Sequence, residues 1–259
     1  MTHAFAYSKT RDQDLAYMLA AETHLGTQNC TNLMDPYMFK RNREGIHIIN
    51  ISKTWEKIML AARIIASIKN PKDVLVVSGR EYAQRAILKF ATNTGANYMG
   101  GKWVPGSLTN QITKKFVEPR LLIVSDPATD HQCIKEAAYM NIPIICLANA
   151  DSPLSGCDVA IPCNNRGRKS IALVYWLLAR EVLMLKGQVE RDAEWDVIVD
   201  LFMFREISDD KKGDDEEEAG DELHKEEEAT GVADALKNDD EEGDAEGQDE
   251  AWENKAANC

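Results

Sequence analysis

The sequence predicts a three-layer α/β domain with a mostly parallel five-stranded sheet, and three observations support it. Short apolar runs recur at 74–77, 121–124, 142–148 and 159–161, unbroken except for Pro143. Continuous rather than alternating apolarity marks strands covered on both faces. Stretches of helical periodicity separate them, the order expected of parallel strands joined by right-handed crossovers. Each run is followed by a turn former or a cap: Ser78-Gly79, Ser125-Asp126-Pro127, Asp151-Ser152-Pro153 and Pro162. The loops after the strands then collect on the carboxyl edge of the sheet, where ligands of such sheets gather.

The elements follow in order. Residues 1–11 are polar and expected to be mobile, and Asp12-Gln13-Asp14 opens a helix in which Leu15, Met18, Leu19 and Glu22 recur at helical spacing. Gly26 is expected to end it in the left-handed conformation. A polar loop with Lys40, Arg41 and Arg43 leads to a first strand at 46–51. Ser52 caps a helix over 53–69 whose polar stripe is narrow, the pattern of a cylinder covered on most sides. After the strand at 74–77, Ser78 and Glu81 have capping-box spacing for a helix ending near Thr94.

A short strand at 96–99, a glycine-rich loop through Trp103 and a short basic helix with Lys114 and Lys115 come next. Asp130 caps a helix over 131–140, between the strands at 121–124 and 142–148. A helix then runs from about Ser170 to Lys186, Gly187 stops it, and 195–204 reads as a final helix and extension lying on the domain. The chain thus divides into a mobile N-terminus (1–11), a domain (12–187), a packed extension (188–208) and an acidic tail (209–259).

Charge is distributed unevenly along that division. Residues 1–208 hold 25 Lys or Arg against 21 Asp or Glu, a net of +4, whereas residues 209–259 hold 5 against 22, a net of −17. The tail has too little apolar material to fold alone and is expected to be disordered. Six cysteines show neither a CxxC pair nor zinc spacing and are expected to be reduced. The longest apolar run, 171–179, is nine residues, far short of the roughly 20 that span a bilayer. With no secretory signal pattern at the start, the expectation is a soluble intracellular protein.

Chemistry is mostly absent. No GxGxxG follows a strand, and GxxxxGK[ST], HExxH and GxSxG do not occur. Asp126, Asp130 and His131 follow one strand and have the residue types of a metal site or proton relay, yet a turn, a cap and a local hydrogen bond account for them without one. Ser78-Gly79-Arg80 has the form of a phosphate cradle at a helix start, although capping accounts for Ser78 and leaves only Arg80 over. The cations tell more. Lys40, Arg41, Arg43, Lys102, Lys114, Lys115, Arg166, Arg168 and Lys169 fall in loops or at helix starts, interleaved with Tyr37, Phe39, Trp103 and Phe116. Together with Arg80 they are the candidate RNA contacts, phosphate-binding positions with stacking neighbours.

Several motifs then converge on one family: His24-Leu25-Gly26, Lys53-Thr54-Trp55-Glu56-Lys57, Leu108-Thr109-Asn110-Gln111, Glu118-Pro119-Arg120-Leu121, Asp151-Ser152-Pro153-Leu154, Ile161-Pro162-Cys163-Asn164-Asn165 and Leu178-Ala179-Arg180-Glu181-Val182-Leu183. Over residues 10–207 the chain resembles the eukaryotic ribosomal protein SA family, counterpart of the bacterial small-subunit ribosomal protein S-two. The resemblance implies a flavodoxin-like sandwich without catalysis, cofactor or metal. It implies binding to small-subunit (18S) ribosomal RNA and neighbouring ribosomal proteins, with neither a membrane nor a small-molecule substrate as partner. It further implies roles in subunit assembly, late maturation of the RNA precursor and translation, in the cytoplasm with passage through the nucleus during assembly. Bacterial relatives insert a coiled coil where only residues 112–118 stand here, so the archaeal and eukaryotic form is indicated. Two other readings remain: a laminin-binding surface receptor, as animal relatives are described, and an enzyme using Asp126, Asp130 and His131.

Overall fold

The protein's structure, a computed structural model, describes residues 2–191 and 195–205. The acidic tail expected over 209–259 lies outside the described residues. In chain order the helices are α1 (Thr2–Ala20), α2 (Ile51–Ser67), α3 (Glu81–Thr94), α4 (His131–Tyr139) and α5 (Arg168–Leu185). The strands are β1 (Met38–Arg41), β2 (His47–Ile49), β3 (Val74–Ser78), β4 (Asn97–Gly100), β5 (Leu121–Val124), β6 (Ile144–Ala148) and β7 (Val159–Pro162).

The main sheet has the order β4-β3-β5-β6-β7, every pair parallel. Counted within the sheet this is 2-1-3-4-5, the flavodoxin-like doubly wound order, whose topological switch point lies between β3 and β5. All residues of β3, β5 and β6 are buried, as their unbroken apolar runs require. On one face Val74, Val76, Leu121, Ile123, Ile145 and Leu147 pack against α2, α3 and α5. On the other, Leu75, Val77, Leu122 and Val124 meet α4, Trp103 and Leu108. Helix α5 is the centre of the first layer: residues 170–183 are all buried, and Tyr175 is 0% exposed. No helix among the described residues is long and apolar enough to cross a membrane.

Several sequence expectations are corrected. The run at 46–51 does not join the parallel sheet; β2 pairs antiparallel with β1 in a separate two-stranded ribbon, so Lys40 and Arg41 lie in a strand. Gly26 does not end α1. That helix starts at Thr2 and closes with Glu22 at φ 58°, Thr23 N–H reaching Met18 O (3.1 Å) and Glu22 N–H reaching Leu19 O (3.1 Å), a Schellman closure. Gly26 instead permits close approach. Its N–H donates to His47 O at 2.9 Å, and a Cβ at that position would sit 2.7 Å from the same oxygen.

Three capping expectations also change, because better acceptors or farther donors compete. Asn50 rather than Ser52 caps α2, its side chain accepting from Ser52 N–H at 3.1 Å. No capping box forms at α3, where Arg80 takes the N-cap position and Ser78 Oγ accepts only from Arg80 N–H. Asp130 occupies the N-cap position of α4 without capping it. Residues 105–116, expected to be partly helical, are turns that carry Lys114 and Lys115. The last helix shrinks to a 3-10 turn at Val199–Phe202. It nonetheless packs on the core through Phe202, 0% exposed, and Trp176 Nε1 donates to Val197 O at 2.7 Å.

Candidate functional site

The carboxyl edge of the sheet is tied together by polar side chains. Asp126, 1% exposed at the end of β5, accepts Arg80 Nε (2.6 Å) and Thr129 Oγ1 (2.6 Å) on Oδ2, and Ala128 N–H (3.2 Å) and Asn165 Nδ2 (3.0 Å) on Oδ1. Burial works against its charge, but the hydrogen bonds from Thr129 and Arg80 and the Arg80 guanidinium outweigh it and hold the carboxyl below its usual range. Asn165 lies within 3.4 Å of Ser152 Oγ, which accepts Asn149 N–H at 3.0 Å. Ser125 and Tyr175 hydroxyls are 2.7 Å apart. Thr31 reaches the same region, its hydroxyl donating to Ala150 O and Ser152 O, both at 3.0 Å.

Asp130 belongs to this edge too. Its two oxygens accept Gly79 N–H at 2.9 and 3.2 Å, joining the loop after β5 to the loop after β3. Burial raises its pKa to about 6, only partly countered by the Gly79 bond. Arg80, Asp126, Asp130 and Asn165 therefore tie together the loops around the switch point, where flavodoxin-like folds offer a ligand their crevice. His131, next in the chain to Asp130, is exposed, and no metal-holding group of three acids, histidines or cysteines exists among the described residues. Asp126 and Asp130 are taken up by Arg80, Thr129, Asn165 and Gly79, and among the described residues no hydrogen bond joins either of them to His131.

The candidate cations divide by environment. Arg80 is committed to Asp126. Arg166 pairs with Asp151. Arg168 lies over the Tyr82 ring at 4.8 Å and the Phe204 ring at 5.7 Å, so it fastens the C-terminal segment to α3. Arg41 Nε donates to Gly45 O at 2.9 Å across the ribbon turn. Lys40, Arg43, Lys102, Lys114, Lys115 and Lys169 are exposed, and among the described residues no acid pairs with them. Arg80, Lys102, Arg166, Arg168 and Lys169 all follow strand ends of the main sheet, and Lys40 and Arg43 stand on a ribbon joined to that edge through Gly26 and His47.

Sequence reasoning missed the residues that organise this edge. Asn165 stands out only as part of a family motif, with no role assigned to it, and Thr129 carries no local signal, because their partners are distant or ordinary turn geometry hides them. Glu136 was equally unmarked: 3% exposed on α4, it accepts Gly106 N–H at 2.8 Å and Leu108 N–H at 3.5 Å, and so pins the loop that bears Lys102 and Lys115.

Fold and edge together define a doubly wound α/β scaffold whose loops are bonded to one another and whose rim carries exposed cations. Residues 18–117 and 111–184 match the family described as Ribosomal protein S2, and the chain belongs to that family. It is 58% identical over 195 residues to "Small ribosomal subunit protein uS2" of Ajellomyces dermatitidis, covering 75% of this chain and 65% of that protein, just under two thirds of its length. It is 55% identical over 217 residues to the protein of the same name from Talaromyces stipitatus, covering 80% of this chain and 75% of the relative. The Aspergillus fumigatus protein is 54% identical over 217 residues, 80% of this chain and 73% of its own length.

Proposed function

We propose that the chain is a constituent of the small (40S) ribosomal subunit, where it binds 18S ribosomal RNA and neighbouring ribosomal proteins. The observation that carries this is membership of the Ribosomal protein S2 family across both halves of the folded part, with small-subunit relatives above 50% identity. The geometry supports it: Lys40, Arg43, Lys102, Lys114, Lys115 and Lys169 are exposed and have no acidic partner among the described residues, an arrangement suited to phosphates. On this reading the protein acts in subunit assembly, late maturation of the RNA precursor and translation, in the cytoplasm after passage through the nucleus.

Sedimenting a lysate through sucrose gradients at low and high salt tests it directly. The chain is expected in the small-subunit peak, and its absence there at low salt would overturn the proposal. Depletion is expected to accumulate unprocessed small-subunit RNA precursor on a northern blot. Because the tail repels phosphates, a chain lacking residues 209–259 is expected to enter subunits much as the parent does.

A further inference from the structure

An open recess of about 340 Å3 lies at the free edge of β4, lined by Tyr98, Met99, Lys102, Trp103, Ser107 and Lys115 among others. Strand β4 ends the sheet, and among the described residues it pairs with β3 alone. Alternation along the strand sends Tyr98 and Met99 to opposite faces. Met99 packs with the cluster that holds Trp103, whereas Tyr98 remains 48% exposed. The recess therefore wraps around the sheet edge, with an aromatic side chain on one side and the ends of a loop on the other.

That loop is held in place. Gly101 N–H donates to Ser78 O at 2.9 Å, Val117 N–H to Ser107 O at 3.0 Å, and Gly106 N–H to Glu136. Lys102 and Lys115 both rise from it, both exposed and without an acidic partner among the described residues. Trp103 forms the buried wall at 8% exposure. Two free ammonium groups beside an exposed ring make a pair of contacts that different ligands use unequally. A duplex presents phosphates but no base face, and an acidic peptide presents charge but gains no base stacking; only an unpaired nucleic-acid strand uses both.

We propose that a short unpaired stretch of RNA crosses the edge of β4 here, one base stacked on Tyr98 and adjacent phosphates held by Lys102 and Lys115. The inference rests on the proposed binding of ribosomal RNA and specifies the kind of RNA and contact at this place.

The test uses the full chain, a fluorescent oligouridylate and a blunt RNA duplex of equal length, with anisotropy followed across salt. The single strand is expected to bind more tightly. Lys102→Ala and Lys115→Ala are each expected to make the slope of log affinity against log salt shallower by about 0.7. Tyr98→Ala is expected to weaken binding about five- to a hundredfold at unchanged slope, and Tyr98→Phe to restore it. All three side chains are exposed, and circular dichroism of each variant checks that the fold is intact. Preference for the duplex, parental affinity in Tyr98→Ala, unchanged slopes in the lysine variants, or displacement of the RNA by polyglutamate as readily as by unlabelled RNA would each overturn the inference. If the recess variants bind like the parent while the chain still sediments with small subunits, the recess contact falls and the subunit reading stands. Absence from the subunit peak removes the reading beneath it.

Discussion

Arg80 and Asp126 clasp each other across the switch point between β3 and β5, guanidinium Nε 2.6 Å from carboxylate Oδ2, although 46 residues separate them in the chain. The arginine side chain is 28% exposed and the aspartate 1%. This ion pair spans the place where a doubly wound sheet characteristically receives a ligand.

Removing the arginine leaves a buried carboxylate with only neutral donors. Arg80→Ala is expected to cost about 1–3 kcal/mol, less than a fully buried pair because water reaches the guanidinium; the urea midpoint reports it. Asp126 has a lowered pKa, so its contribution is present above the unfolded value and is lost as pH falls through the folded one. In the variant this loss is expected to begin at higher pH than in the parent.

Asp130 behaves in the opposite sense. With its folded pKa raised to about 6 above an unfolded value of about 3.9, the folded state holds the extra proton, so stability declines as pH rises between those values. Asp130→Asn keeps an acceptor for Gly79 N–H without the charge. It is expected to abolish that decline and to be at least as stable as the parent at pH 7, measured by urea unfolding at a series of pH values.

A second ion cluster joins α1 to α5. Arg180 Nη2 donates to both Asp14 oxygens at 2.8 and 2.7 Å and to Glu181 at 3.2 Å, while Trp55 Nε1 reaches Asp14 at 3.2 Å. Asp14 is 1% exposed and Glu181 3%, so Arg180→Leu strands two buried acids. A loss of about 3–5 kcal/mol is expected. Adding Asp14→Asn should recover part of it, since the amide oxygen still accepts from Trp55; thermal and urea unfolding of the two variants measure the difference.

Gly26→Ala is expected to cost about 1–3 kcal/mol, because the new methyl meets His47 O at 2.7 Å. Hydrogen exchange should show protection lost first in β2. Gly101→Ala provides the contrast: its Cβ meets nothing within 4 Å, yet φ is +89°, so the expected cost of about 1–2 kcal/mol comes from backbone conformation alone and leaves β2 protected.

What could be read in advance follows from where the information lies. The unbroken apolarity of Leu121–Val124 and Ile144–Ala148 states burial on both faces without reference to any other segment, and the parallel sheet followed from it. Gly26 could not be read the same way. A helix stop and a close backbone approach both call for glycine, and only the position of His47 decides between them. Asp130 was legible as a helix-start residue, but its carboxylate is taken by Gly79, 51 residues away. Likewise the basic pattern was visible as a pattern. Which cations remain free depends on acids such as Asp126 and Asp151, placed beside Arg80 and Arg166 by the fold.

The bonds between these loops have a thermodynamic consequence for association. Loops that would wait disordered for a ligand are already fixed to one another, the turn after β3 to that after β5 through Asp130, and the turn after β5 to that after β7 through Asn165. Immobilising a side chain on association costs about 0.5–1.5 kcal/mol, and folding has met that cost for Arg80, Asp126, Asp130 and Asn165, whereas the exposed lysines still carry it. On the proposed reading, what is left to order on association lies in the lysine side chains themselves rather than in the loops that carry Asp126, Asp130 and Asn165.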